Sequence, residues 1–463
     1  MTLPTLGQMP GTQALFVVVV LTLVAALCFQ LLRRKSSESH KRGVVLIDHR
    51  RFLARTPRQR DPGVEGLTLA GVRVPFLDET KHFKMIGTTG TGKSSAIRRL
   101  LAGALARGDR VVFADPDAGY QLRFFNRYRG DVVLNPFDPL SVRWDPYAEI
   151  NHAYDVEQLT SGLIPSSDDA SSNEWRSYAR TFMAAVIRRS RAERPSPTEL
   201  WRLLAVAPAD ELRQLVAGTP AQSFLEPDNA RMFGSIRSVA VSAIAALEHV
   251  QAQRAASFSV REWVRAGCAP GALFITYKAA QIAALRSMIA TWMRLAIFEA
   301  MNGREDHDQR LWFVVDELDA LGAIDGLKDA LARLRKFGGR CVLGFQSVAQ
   351  VSGTYGSAEA QSLVENCGNT LVLRCSGSES GGTSQFASRL IGDREVVRRQ
   401  TTRGTDREGT FSARGVRRSK NVSDNHVTEA AVMPSQIEQL PDLSGYLKLA
   451  SSPAWRRVEF CYE

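Results

Sequence analysis

Eight consecutive residues, Gly87-Thr88-Thr89-Gly90-Thr91-Gly92-Lys93-Ser94, follow the pattern G-x-x-x-x-G-K-[ST]. Glycines at this spacing let backbone N–H groups close on phosphate oxygens. The lysine then reaches the outer phosphates, and the Ser94 hydroxyl is placed to hold Mg2+. The run from Gly87 through Ser95 is therefore read as a site for ATP with Mg2+. Its flanks agree. Phe83-Lys84-Met85-Ile86 suits a short strand, and residues 95–107 carry Ile97, Leu100, Leu101 and Leu105 at helical spacing. Strand, glycine loop and helix N-terminus together make an anion cradle, which a chance glycine-rich turn would not.

A second chemical element follows the apolar run Leu311–Val315, which has the character of a buried parallel strand and ends in Asp316-Glu317. Carboxylates at the C-terminal end of such a strand sit where α/β sheets bind ligands. Asp316 is expected to hold Mg2+ through water, and Glu317 to polarise the attacking water, which favours hydrolysis over transfer to a second substrate. Asp-Glu after a strand can also be a plain helix cap, a reading that weakens beside a complete glycine loop. A third strand candidate, Cys341–Phe345, ends in Gln346. That amide can sense the terminal phosphate or orient water, or it can be structural. Upstream of it lies Arg333-Leu334-Arg335-Lys336-Phe337-Gly338-Gly339-Arg340. Such a run at a subunit edge can supply an arginine to a neighbour's site. Arg335 is the first choice, with Arg340 and Arg333 next, and a solvated basic helix end is the competing reading.

These residues must be positioned by an alternating scaffold. Strand candidates are 110–114, 131–134, 272–277, 311–315, 340–345 and 369–374, and a largely apolar helix is expected over 279–301. This pattern predicts an α/β fold with a parallel sheet wrapped by helices. Between 153 and 262 no strand is evident. Trp175, Tyr178, Phe182 and Val186, and likewise Ile236, Val239, Ala243 and Leu247, recur at helical spacing, so the segment is read as an inserted all-α domain. Its outward residues include Arg176, Arg180, Arg188, Arg189 and Arg191. They would face either a DNA channel or solvent. Residues 394–420 hold nine Lys/Arg and three acids, and are read as a flexible loop or a long hairpin able to touch phosphates.

The chain has 59 Lys+Arg against 48 Asp+Glu, a formal charge of +11, which suits a phosphate-bearing partner. Its six cysteines form no Cys-x-x-Cys pair, so free thiols are expected rather than a disulfide framework. Residues 14–32, ALFVVVVLTLVAALCFQLL, carry no charge and are followed by Arg33-Arg34-Lys35. At ~1.5 Å per residue this run spans a ~30 Å hydrocarbon layer. A single N-terminal transmembrane helix is expected, with the bulk of the chain on the cytoplasmic side. The expected division is 1–35 as membrane anchor, 36–80 as juxtamembrane linker and start of the core, 81–152 with 263–463 as the nucleotide-binding domain, and 153–262 as the insertion.

These motifs, with Ala114-Asp115-Pro116-Asp117-Ala118-Gly119, residues 134–150 (LNPFDPLSVRWDPYAEI), 313–322 (FVVDELDALG), 344–347 (GFQS), 369–374 (NTLVLR) and 440–449 (LPDLSGYLKL), resemble the TraD/TrwB-type coupling proteins of type IV secretion and conjugation, relatives of the FtsK/HerA translocases. The resemblance implies a RecA-like P-loop ATPase core with an all-α domain, assembled as a hexamer at the bacterial inner membrane. It implies ATP hydrolysis that drives DNA, with its attached relaxase and relaxosome, toward the type IV secretion channel. It also implies that each site lies between subunits, which suits Arg335. Family members commonly carry two membrane helices, and one is evident here. Two other functions remain in view: a HerA/FtsK-like motor for chromosome or element maintenance, and a nucleotide-binding membrane adaptor that recruits without translocating.

Overall fold

The structure is a computed structural model that describes residues 38–48, 66–167, 169–193, 196–267, 270–306, 309–379, 381–407 and 416–461. The apolar segment 14–32 lies outside the described residues. Among the described residues no helix is long and apolar enough to cross a membrane.

The larger of two compact units, 46–390 with 432–463, is built on a ten-stranded sheet. Its strands are β1 (Leu46–Asp48), β2 (Phe83–Ile86), β3 (Arg110–Pro116), β4 (Val132–Val133), β5 (Ala272–Tyr277), β6 (Leu311–Val315), β7 (Gly339–Phe345), β8 (Asn369–Val372), β9 (Ser444–Lys448) and β10 (Trp455–Glu459). Their order is β1-β10-β9-β8-β2-β7-β6-β3-β5-β4. From β8 to β4 every neighbour is parallel, and β9 and β10 add antiparallel strands at one side. The expected strands at 272–277 and 311–315 appear with those bounds. β9, β10 and β1, which carry the sheet past β8, were not anticipated.

Side chains alternate between the two faces, as the pleat requires. Phe83, Met85, Val111, Phe113, Trp312 and Val314 join one cluster with Ile97, Leu100, Leu101 and Ala104 of α1 (Lys93–Ala106). The intervening residues Val112, Leu273, Phe313 and Val315 are equally buried, on the face where the nineteen-residue α9 (Ile282–Ala300) packs against β3, β5 and β6. Helices on both faces explain why these strands are apolar throughout instead of alternating.

Between β4 and β5 the chain forms α2 (Asp155–Leu163), α3 (Ala170–Glu193), α4 (Pro197–Ala205), α5 (Ala209–Leu215), α6 (Ala230–Ala243), α7 (Leu247–Ala252) and α8 (Val260–Arg265). α4 starts as its sequence dictates: the Ser196 side chain accepts from Glu199 N, and Pro197 opens the helix. The apolar stripes of α3 and α6 meet, with Phe182 edge-on to Phe233 at 5.2 Å. Contrary to expectation, a two-residue strand does occur in this stretch. Ser257–Phe258 pairs in parallel with Arg143–Trp144. Glu149 locks this neck by accepting from Trp144 Nε1 (2.8 Å), Ser259 Oγ (3.0 Å), Val260 N (2.7 Å) and Arg261 N (3.1 Å).

The smaller unit groups the strand Glu38–Gly43 with residues 391–431. Asp393–Arg407 and Val416–Ala430 pair antiparallel in register over fifteen residues each, so the basic segment is a long hairpin. It groups with this N-terminal strand and not, as the sequence division had it, with the nucleotide-binding domain.

A buried ion network lies at the N-terminal ends of β3, β6 and β7. Glu79 receives Arg107 Nη1 and Nη2 (2.9 and 2.8 Å) and Arg340 Nε (3.0 Å), while Asp109 receives Arg107 and Trp312 Nε1 (2.8 Å). Removing one partner of a buried pair strands the other charge without water. Glu79→Ala is therefore expected to lower stability by about 3–5 kcal/mol. The denaturant midpoint checks this, and a shift within experimental error would show that the network holds nothing.

Candidate functional site

β2 runs into the glycine loop, and two neighbouring strands clamp the junction. Gly87 N donates to Phe345 O at the end of β7 (3.3 Å), while Thr88 N and Oγ1 donate to Arg374 O just past β8 (2.9 and 3.2 Å). Thr91 Oγ1 closes the loop on Thr88 O at 2.8 Å. Gly92 then turns left-handed, with φ of 104°, and a Cβ there would stand 2.5 Å from Leu443 Cδ2, so only glycine fits. Leu443 also donates its N–H to Thr91 O at 2.9 Å, which makes the segment before β9 a strap across the loop. α1 starts at Lys93, and its first N–H groups lack helical partners, leaving the positive end of the helix facing the loop.

The carboxylates reach this loop because β6 and β7 approach very closely at their ends. A Cβ on Gly344 would lie 2.3 Å from Asp316 O, and Leu318 N donates to Gly344 O at 3.0 Å. Asp316 Oδ2 accepts from Ser94 Oγ (2.5 Å) and from the Tyr120 hydroxyl (2.8 Å). Its Oδ1 is buried with no hydrogen-bond partner among the described residues. A buried anionic oxygen left so is costly unless a cation or water completes it. Together with the Ser94 hydroxyl it forms a hard-oxygen pair that fits Mg2+.

Glu317 is half-buried and takes Gln346 Nε2 at 3.2 Å, while Gln346 Oε1 accepts from Thr89 Oγ1 at 2.9 Å. Gln346 thus links the glycine loop to the Glu317 carboxylate. Burial, then the neighbouring charge of Asp316, raises the Glu317 carboxyl above its ordinary value, and Lys93 works against that shift. A carboxylate held this way is a stronger proton acceptor than a solvated one.

Tyr120 was not singled out from sequence. Asp115 at the end of β3 accepts from Tyr120 N (2.9 Å) and Gln121 N (2.7 Å), across a turn in which Asp117 and Ala118 adopt left-handed φ of 54° and 56°. That turn presents the Tyr120 hydroxyl to Asp316, with Arg98 over the ring at 5.7 Å. Burial, opposed by those two N–H bonds and helped by Asp316, pushes the Asp115 carboxyl up to about 6. The Asp115-Pro116 pair is the one sequence sign of the arrangement.

The arginine candidates separate. Arg340 is buried against Glu79 and cannot serve another site, which removes it as an alternative. Arg333 and Arg335 are exposed. Arg335 precedes β7, whose length of about 20 Å separates it from Gln346 in its own chain. The outward arginines of α3 are occupied within the chain. Arg176 donates to Pro165 O (2.9 Å), Arg180 to Ile164 O (3.2 Å), Arg189 to Ala217 O and Arg191 to Ile150 O (both 2.7 Å), and Arg188 pairs with Glu157. They tie the helical segment together, which weighs against their lining a DNA channel.

If the Tyr120 hydroxyl orients the metal carboxylate, Tyr120→Phe should raise the Mg2+ concentration needed for half-maximal turnover severalfold. Nucleotide binding measured without Mg2+ should be unchanged. An unaltered Mg2+ dependence would assign the hydroxyl to packing alone.

The profile of a family described as "Type IV secretion-system coupling protein DNA-binding domain" matches residues 66–460. The chain is 30% identical to coupling protein TraD of Escherichia coli (strain K12) over 378 residues, 80% of this chain and 51% of TraD, so it spans about half the length of that relative. Among solved structures it resembles plasmid coupling protein TrwB in complex with a non-hydrolysable ATP analogue, with 30% identity, TM-score 0.78 and coverage of 92% of this chain and 95% of TrwB. TrwB in complex with ADP and Mg2+ matches at 29% identity and TM-score 0.77, covering 92% and 94%. The chain belongs to the type IV secretion-system coupling protein family.

Proposed function

We propose that this protein is an ATP-driven DNA translocase, anchored in the inner membrane, that couples a relaxase-bound DNA substrate to a type IV secretion channel. The observation that carries the reading is the contact chain Ser94–Asp316 and Thr89–Gln346–Glu317, which surrounds the glycine loop with a metal-binding pair and a water-activating carboxylate. TrwB, similar along nearly its whole solved length, has been seen with an ATP analogue and with ADP and Mg2+, which supports the same ligands here.

In this mechanism the N–H groups of the loop and of α1, with Lys93, hold the phosphates. Ser94 and Asp316 would hold Mg2+, which would supply charge neutralisation on the phosphate oxygens. Glu317 orients a water for attack on the γ-phosphorus and takes its proton as the bond to the β-phosphate oxygen breaks. Gln346 touches both the loop and Glu317, so it can report occupancy of the terminal phosphate to the carboxylate. Arg335 is exposed and far from its own loop, and would act on a neighbouring subunit's site in a homohexamer. The apolar segment 14–32 is the single bilayer span of this proposal, with Arg33-Arg34-Lys35 on the cytoplasmic side.

ATP hydrolysis by the full chain, with and without DNA, tests the reading. DNA should stimulate turnover and added salt should weaken that effect, whereas nucleotide binding without DNA-dependent turnover would favour a recruiting adaptor. Lys93→Ala should reduce hydrolysis by at least ~100-fold, since it removes the charge that follows the transferred phosphoryl group. Glu317→Gln should bind ATP yet fail to turn over. Because Glu317 must be ionised to act and its carboxyl is raised, the acid limb of the wild-type pH–rate profile should lie above the ordinary glutamate range. Arg335→Ala should lower turnover without weakening ATP binding, and mixing it with Lys93→Ala subunits should restore part of it. Absence of that rescue would count against action between subunits.

A further inference from the structure

The long hairpin has two halves of different charge character. Near its base the charges are matched. Lys41 and Arg42 pair with Glu395 (Lys41 at 3.0 Å), Arg394 and Arg398 with Glu429 (2.8 and 2.6 Å), and Arg399 with Asp424 (2.9 Å). Beyond that point the described residues 400–407 and 416–423 carry Arg403, Arg407, Arg417, Arg418 and Lys420 against one acid, Asp406. The register sets Arg403 directly opposite Lys420 and Asp406 opposite Arg417. Basic residues still outnumber acids in this half of the arm, and an anionic surface complements that net positive charge.

The register also gives the arm a direction. Glu38 pairs with Arg398 and Gly43 with Arg394, antiparallel. Continuing past Arg398 toward Arg407 thus runs back along the course from which the chain enters at Glu38. The nine further residues to Arg407 extend about 30 Å. Only five residues separate Leu32 from Glu38, so the end of the apolar segment lies within roughly 20 Å of Glu38 along the chain. The arm outreaches that tether.

We infer that the distal basic half of the hairpin, at Arg403, Arg407, Arg417, Arg418 and Lys420, lies on the anionic headgroup surface of the membrane in which residues 14–32 are anchored. The inference rests on the proposed bilayer span. The attraction is that of any polybasic segment beside a negatively charged leaflet, non-specific and screened by salt. It would fix the arm, and the strand Glu38–Gly43 paired with it, against the bilayer.

The test uses the full chain in lipid nanodiscs, either neutral phosphatidylcholine or phosphatidylcholine containing phosphatidylglycerol. Backbone hydrogen exchange is followed in peptides covering 399–407 and 416–424, with 393–398 as an internal control. Phosphatidylglycerol should slow exchange severalfold in the two distal peptides and not in the control. Salt should reverse the effect, and the triple variant Arg403→Gln, Arg418→Gln, Lys420→Gln should abolish it. Equal exchange in both lipids overturns the proposal. Slowing only on addition of DNA to neutral nanodiscs also overturns it and reassigns the arm to nucleic acid. Retention of the chain in nanodiscs through a high-salt wash reports on the span separately: retained chain with unprotected hairpin refutes the arm alone, and chain that washes off refutes both.

Discussion

A phosphate-binding loop has to hold its backbone amides open toward a ligand, so it cannot satisfy them internally and must be fixed from outside. Here β7 and β8 do this, on either side of β2, through the carbonyls of Phe345 and Arg374. Clamping requires β2 to be interior and parallel to both neighbours, which in turn requires helical crossovers and covered faces. The all-apolar strands, α1 on one face and α9 on the other follow from that requirement. The strap at Leu443 is the remaining constraint, and it explains why the chain continues past β8 into β9 and β10.

The same parallel arrangement divides the larger unit's sheet by task. At the C-terminal ends of the strands, Asp316 and Glu317 sit side by side, with Asp316 Oδ1 lacking a hydrogen-bond partner among the described residues, and Asp115 is held nearby. At the opposite ends, Glu79 and Asp109 are closely matched by Arg107 and Arg340. Crowded carboxylates at one end repel one another and are tolerated because stability is supplied elsewhere. The hydroxyls of Ser94 and Tyr120 keep Asp316 in one orientation, so a cation bound there would require little movement.

Most of the sheet could be read from sequence because strands buried on both faces are written as unbroken apolar runs, as at 272–277 and 311–315. The antiparallel strands could not. SGYLK and WRRVE are short and mixed in polarity, and they are strands because SGYLK pairs with β8 and WRRVE with SGYLK. The glycine loop and Asp316-Glu317 were visible as spaced types, whereas the contact of Ser94 with Asp316 depends on the close approach at Gly344, which no spacing reports. Tyr120 escaped notice because its role arises from a left-handed turn held by Asp115. The α3 arginines were legible as outward-facing, but the carbonyls of Pro165, Ala217 and Ile150 that receive them belong to loops whose positions only the fold sets.

The neck at Arg143–Trp144 and Ser257–Phe258 carries a consequence for how such proteins diversify. Chain entry and exit are held side by side by one two-residue pairing and by Glu149, with Trp144 packed edge-on to Trp292 of α9. The entropy of closing a loop grows only logarithmically with its length, about 0.6 kcal/mol for each doubling. A segment clasped at its base can therefore lengthen, shorten or be exchanged between lineages at little thermodynamic penalty to the sheet. Such changes can accumulate in the helical module while the glycine loop and the carboxylates beside it stay as they are.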